Sequence, residues 1–221
     1  MKIAIIGSGN IGGTAARLFA AAGHDVGLSH KSGPESLRER AAQLGRNACA
    51  MTVDEAAAFG DVVLLALPWR AREDLPAELL AGKIVVDATN PYRPDFTVYD
   101  LGDSSSSEEM LRTLPGARLV KAFNTLFAKD LASSGRPELP LDERTALLLA
   151  GDDPQAKELV SRLVEEIGFA PVDTGGLRDG GRLQQPGSPL YGRHLTGAEA
   201  RAALRAAQTG AARSGEPTQA P

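Results

Sequence analysis

The chain has 221 residues, 43% of them hydrophobic and 24% charged, with a formal net charge of −4. This is ordinary globular usage, which excludes a fibrous or mainly disordered chain and gives no bulk electrostatic pull toward nucleic acid or an anionic membrane. A single cysteine, Cys49, excludes an internal disulfide and a multi-cysteine metal cluster, and His24, His30 and His194 lack metal-ligand spacing.

No apolar run approaches the roughly 18 residues that span a bilayer. The first strand is expected at Lys2–Ile6, leaving no room for a leader, so the expected location is the cytoplasm. Gly7 bounds that strand, and apolar residues from Ile11 to Ala22 then recur at helical spacing, ending at Gly23. His24–Ser29 reads as a second strand. Ser32-Gly33-Pro34-Glu35 opens a helix with proline at its first position, and a third strand follows at Ala48–Met51. Thr52-Val53-Asp54-Glu55 is a capping box for a helix to Phe59. Asp61–Leu67 is an apolar strand stopped by Pro68, and Arg70–Leu80 reads as a helix. Lys83–Asp87 and Arg118–Phe123 are further strands, with a helix capped within Ser104–Ser107 and running to Leu114 between them. Thr145–Ala150 and Phe169–Asp173 read as two more strands around a helix from Asp152-Asp153-Pro154 to Ile167.

Alternation of strand and helix argues for an α/β, doubly wound, mostly parallel sheet of the Rossmann kind with a small C-terminal loop and helix extension. Residues 1–174 are expected to form the nucleotide-binding domain. The Gly- and Pro-rich segment 175–196 is expected to be a partly mobile loop that, with a helix at Glu199–Gln208, completes the acceptor site. Residues 209–221 read as a flexible tail.

Gly7-Ser8-Gly9-Asn10-Ile11-Gly12 fits G-x-G-x-x-G between a strand and a helix. The first glycine permits the turn, the second admits a pyrophosphate against the backbone, and the third lets helix and strand approach. At the second strand end, Ser29-His30-Lys31-Ser32 lacks the acid that holds a ribose 2′-hydroxyl and offers a cation and hydroxyls, which suit a 2′-phosphate. NADP(H) is therefore the expected cofactor. Leu67, Pro68 and Trp69, then Asn90, then Asn124, Thr125 and Leu126 follow the fourth, fifth and sixth strands, at the edge where such sheets bind ligands. Trp69 reads equally as a packing aromatic or a wall of the site, and Asn124 as the orienting residue for the reacting ring. Tyr191 and Arg193 are candidate contacts to an acidic acceptor tail; Asp87, Asp173 and Cys49 read as structural. No metal site is expected.

Several of these segments together resemble the NADPH-dependent coenzyme F-420 reductase family. They are Lys2–Gly12, Gly33-Pro34-Glu35-Ser36-Leu37, Leu67-Pro68-Trp69, Val120-Lys121-Ala122-Phe123-Asn124-Thr125, Gly151-Asp152-Asp153 and Val172–Arg193, the last with Gly181–Pro186 and Pro189–Gly192; coverage is about residues 1–195. The resemblance implies hydride exchange between NADP(H) and a deazaflavin, coenzyme F-420. It also implies a serine and an arginine reading the 2′-phosphate, where this chain has His30-Lys31-Ser32, and a histidine near the nicotinamide where it has Asn124. Hydride transfer between two such rings needs positioning more than an acid–base dyad, and none is visible. The remaining chain is short for a separate substrate domain, so a homodimer is expected to complete the pocket. The alternatives are an NADPH reductase of another acceptor (flavin, quinone, ferric complex or imine) and a non-catalytic NADP(H)-sensing protein.

Overall fold

The computed structural model describes residues 1–214. Eight strands form one sheet in the order β3-β2-β1-β4-β5-β6-β7-β8. The first half comprises β1 (Lys2–Ile6), α1 (Asn10–Ala21), β2 (Asp25–Ser29), α2 (Arg38–Leu44), β3 (Ala48–Met51), α3 (Val53–Phe59), β4 (Val62–Leu65), α4 (Ala77–Leu80) and β5 (Ile84–Asp87). The second half comprises α5 (Ser106–Thr113), β6 (Arg118–Ala122), α6 (Ala128–Ser133), β7 (Ala146–Gly151), α7 (Pro154–Glu166), β8 (Ala170–Gly175), α8 (Asp179–Arg182) and α9 (Gly197–Ser214). Strands β1 to β6 are mutually parallel; β7 lies antiparallel to β6, and β8 pairs parallel with β7. The sheet order reverses between β1 and β4, which places the ligand crevice at their carboxyl ends.

Both sheet faces are buried, which is why these strands read as unbroken apolar runs. In β1, Ile3 and Ile5 point into one core with α1 and α7, while Ala4 and Ile6 point into another with α3 and α5. A third cluster joins Leu148 and Val172 of the last strands to Ala200 and Leu204 of α9. The capping box at Thr52 and Glu55 forms as expected, and Ser105 with Glu108 makes a second one at α5.

Three expectations differ from the structure, and one helix was not expected. The helix expected over Arg70–Leu80 is a 3₁₀ segment, Trp69–Asp74, then the short α4, because Pro76 interrupts the hydrogen-bond ladder. Helix α6 has no counterpart in the sequence reading. The segment 175–196 is packed, with Gln184 fully buried and Leu190 1% exposed. Gly180 and Gly181 serve close approach: a Cβ on Gly181 would stand 2.9 Å from Ser107 Oγ. Finally, residues 209–214 continue α9, and 215–221, the rest of the expected tail, lie outside the described residues.

Candidate functional site

The turn between β1 and α1 is shaped by its three glycines. Gly7 has φ +102° and donates its N–H to Ser29 O at 3.1 Å, and a Cβ there would strike the Ala66 backbone. A Cβ on Gly12 would overlap Gly7 O. Gly9 differs: a Cβ would meet nothing of the protein within 4 Å, so the space over it is open to a ligand. Gly9 is also the N-cap of α1 and places no side chain over the first turn, which holds no acid. The positive end of the helix, with the turn around Ser8, Asn10 and Ile11, therefore faces that space uncapped by any side chain.

At the tip of β2 the sequence assignments separate. Ser29 is fully buried and its hydroxyl donates to Ile5 O at 3.2 Å, so it braces the sheet and is withdrawn from ligand contact. His30, Lys31 and Ser32 do stand at the crevice, and Ser32 N–H donates to His30 Nδ1 at 3.2 Å. A recess of about 300 Å³ is lined by Ser8, His30, Ser32, Ser36, Leu37 and Arg40. Arg40 projects from α2 and donates to Ser8 O. This guanidinium escaped the sequence reading because it lies well beyond the strand tip and arrives by way of a helix. A cleft of about 320 Å³ continues past Lys31 to Leu67, Pro68 and Arg70.

On the other side, a cavity of about 650 Å³ runs from Gly9, Asn10 and Ile11, past Leu67 and Pro68, to Asn90, Tyr92 and Phe96. Trp69 contributes to its wall but is 2% exposed, and its ring packs in the core under the Arg72 guanidinium, 4.6 Å away; it is chiefly a packing aromatic. Asn124, Thr125 and Leu126 are 4%, 4% and 6% exposed and stand behind the cavity surface. Leu126 belongs to the core. Thr125 accepts the Gly192 N–H through its carbonyl at 3.2 Å.

Asn124 is hydrogen-bonded to Asn90. Its Nδ2 donates to Asn90 Oδ1 at 3.1 Å and to Gln184 O at 2.8 Å, while Asn90 Nδ2 donates to Asn124 O at 3.0 Å and Tyr191 Oη at 3.2 Å. Tyr92 Oη lies 3.3 Å from Tyr191 Oη. Burial, and then the neighbouring Tyr92, raise the Tyr191 phenol above its ordinary range, so it is a neutral hydrogen-bonding group. Asn124 Oδ1 is buried without a partner, a costly state in a protein interior and one that a donor seated beside Asn90 would relieve. Tyr191 is thus hydrogen-bonded to Asn90 of the cavity lining, whereas Arg193 is exposed and does not line the cavity.

Beneath this network lies a fully buried ion pair. Lys121 Nζ donates to Asp87 Oδ2 at 2.9 Å and also to Thr89 O, and Asp87 Oδ1 accepts the Thr89 N–H at 2.9 Å and hydroxyl at 2.6 Å. Burial pulls the Lys121 ammonium below the usual lysine range, and Asp87 opposes that shift. The pair fixes the chain leaving β5, and with it Asn90. Among the described residues no group of histidine, cysteine or acidic side chains could hold a metal ion, and no helix is long and apolar enough to cross a membrane.

The residues present fit a dinucleotide: open backbone at Gly9, an uncapped helix start, and a recess carrying Arg40, His30 and Ser32 with Lys31 in the adjoining cleft. Comparison with known proteins agrees. Residues 2–91 match the family model described as NADP oxidoreductase, coenzyme F420-dependent. A hypothetical protein of Sinorhizobium meliloti is 37% identical, with a TM-score of 0.80 over 89% of this chain and 95% of that one. A protein of Arthrobacter sp. FB24, provisionally described as an F420-dependent NADP reductase, is 28% identical with a TM-score of 0.68, over 80% of this chain and 86% of that one. Metalloreductase STEAP3 of Rattus norvegicus is 28% identical over 80% of this chain, which spans about a third (34%) of that protein's length.

Proposed function

We propose that the chain, which resembles the coenzyme F420-dependent NADP oxidoreductases over residues 2–91, exchanges a hydride between NADP(H) and a deazaflavin-type acceptor, coenzyme F-420, in the cytoplasm. The observation that carries the reading is the run of adjoining recesses from the cation cluster at β2, across the bare Gly9 backbone, to Asn90. When bound, the dihydronicotinamide supplies the hydride. Gly9, Asn10 and Ile11 take the pyrophosphate on backbone N–H groups. Arg40, Lys31 and Ser32, with His30, bind the 2′-phosphate, the guanidinium offering paired donors. Leu67 and Pro68 exclude water from one side. Asn90, held by Asn124 and Tyr191, fixes the carboxamide. Asn124 is in this sense an orienting residue. The reading includes a second copy of the chain at the open carboxyl edge, where Phe127, at the exit of β6, is 62% exposed.

The likeness to a metalloreductase favours one second reading, reduction of a ferric complex by the same bound NADPH. Oxidation of NADPH followed optically with coenzyme F-420, FMN, a simple quinone and a ferric chelate separates these. Rapid turnover of F-420 above the others is expected. Turnover of the ferric chelate alone would replace the reading, and tight binding of NADPH with no turnover of any acceptor would identify a sensor.

A further inference from the structure

The chain leaving β5 forms a braced reverse turn at the far lip of the 650 Å³ cavity. Tyr92 and Val98 make an isolated antiparallel bridge. Arg93 N–H donates to Thr97 O at 2.7 Å and Phe96 N–H to Arg93 O at 2.9 Å. The Asp95 carboxylate accepts the Thr97 N–H at 3.0 Å and hydroxyl at 2.7 Å. The Arg93 guanidinium lies 4.6 Å over the Tyr99 ring and donates to Val98 O at 3.1 Å.

At the tip stands Phe96, with φ +64° and 82% of its surface exposed. Both conditions are unfavourable for this residue type. A bulky side chain is strained in the left-handed region, where glycine or asparagine is at ease. An exposed ring forgoes the burial that usually justifies a phenylalanine. None of the three core clusters includes Phe96, so the fold does not require the ring. A strained, solvent-facing aromatic on a braced turn, at the lip of the cavity that holds Gly9 and Asn10, is suited to a partner arriving from solution.

Across the cavity is Arg70, exposed on the 3₁₀ segment after Pro68. Its neighbour Arg72 is occupied by Trp69 O and Glu73. Arg70, among the described residues, makes no ion pair or side-chain hydrogen bond. The remaining lining includes Leu67, Pro68, Tyr92 and Pro94, flat and largely apolar.

Resting on the hydride-transfer reading, we propose that Phe96 is the platform on which the acceptor's planar heteroaromatic ring stacks and that Arg70 meets an anionic group carried by the same acceptor. Stacking suits a ring whose face is presented to another ring, and an uncommitted guanidinium at the rim selects for negative charge without occupying the reacting face.

The test is a binding titration of the protein saturated with oxidised NADP+, where no turnover occurs, using coenzyme F-420 and tail-less 5-deazariboflavin and following their fluorescence. Phe96→Gly should weaken both probes about tenfold, leave NADP+ affinity unchanged and not lower Tm. Arg70→Gln should weaken F-420 about threefold, an effect lost at high salt, and leave the tail-less probe unchanged. Wild-type affinity for both probes in Phe96→Gly overturns the platform, as does a change in self-association with probe affinity intact. Equal loss of both probes in Arg70→Gln overturns the charge assignment. If the wild type binds neither deazaflavin, the acceptor reading itself fails, and the same titration with FMN then decides Phe96: FMN affinity indifferent to Phe96→Gly overturns the platform.

Discussion

Three glycines within six positions of one another have three different reasons to be glycine, and substitution separates them. Gly12→Ala forces a Cβ onto Gly7 O, a backbone atom that cannot move aside, and should cost about 3 kcal/mol in urea unfolding. Gly9→Ala meets no protein atom and keeps an ordinary φ of −69°, so its stability should stay within about 0.5 kcal/mol of the parent while NADP(H) affinity in calorimetry falls by about tenfold or more. The glycine pattern was legible in the sequence because each role is set within one turn. Arg40 was not, since its contact with Ser8 depends on how α2 docks. Arg40→Ala and Lys31→Ala should each weaken NADPH much more than NADH, roughly tenfold for Arg40; equal losses for both coenzymes would remove that residue from 2′-phosphate recognition. Ser29 was misplaced for the complementary reason. A hydroxyl at a strand tip looks available until the neighbouring strand supplies Ile5 O as its acceptor.

Elements were legible where burial dictates composition. Val62–Leu65 is covered on both faces and carries no polar residue, and Thr52 with Glu55 announces α3 by its own cap. The reversed direction of β7 was not legible, because a strand buried on both faces has the same apolar content whichever way it runs. Helix α6, Ala128–Ser133, is too short to show a period. Helix α7 begins at Asp153, whose carboxylate accepts N–H groups of Gln155 and Ala156 and pairs with Arg118 of β6 at 2.5 Å. The Arg118 hydrogen bond first, and then the helix N–H groups, hold Asp153 down to about 2 from its ordinary 3.8. A carboxylate depressed by folding contributes stability that is complete above its unfolded value and is lost as pH falls through the folded one. Unfolding midpoints of the parent should therefore decline between about pH 4 and pH 2. Asp153→Asn should show a smaller decline over that window and a lower midpoint at neutral pH.

For the molecule as a whole, topology decided what composition could not. Apolar runs alternating with helices were enough to put the candidate site at the carboxyl ends of the strands, whereas the β1–β4 reversal is visible only in the strand order. The acceptor side was only partly legible. Asn90 and Asn124 were identified, whereas Gln184 acquired its place through a contact between distant parts of the chain. The C-terminal helix is part of this framework: Leu204, 8% exposed, packs in one cluster with Leu148 and Val172, and Leu204→Ala should cost about 2 kcal/mol without altering cofactor affinity, as read by urea unfolding and calorimetry.

The bond from Asn90 to Tyr191 closes across 101 positions, and that from Asn124 to Gln184 across 60. Every residue of the Gly7–Gly12 turn, by contrast, is supplied within the first strand and helix. Loop closure over such spans is slow. A chain diluted from denaturant is thus expected to form the glycine turn early and the Asn90–Asn124–Tyr191 network late.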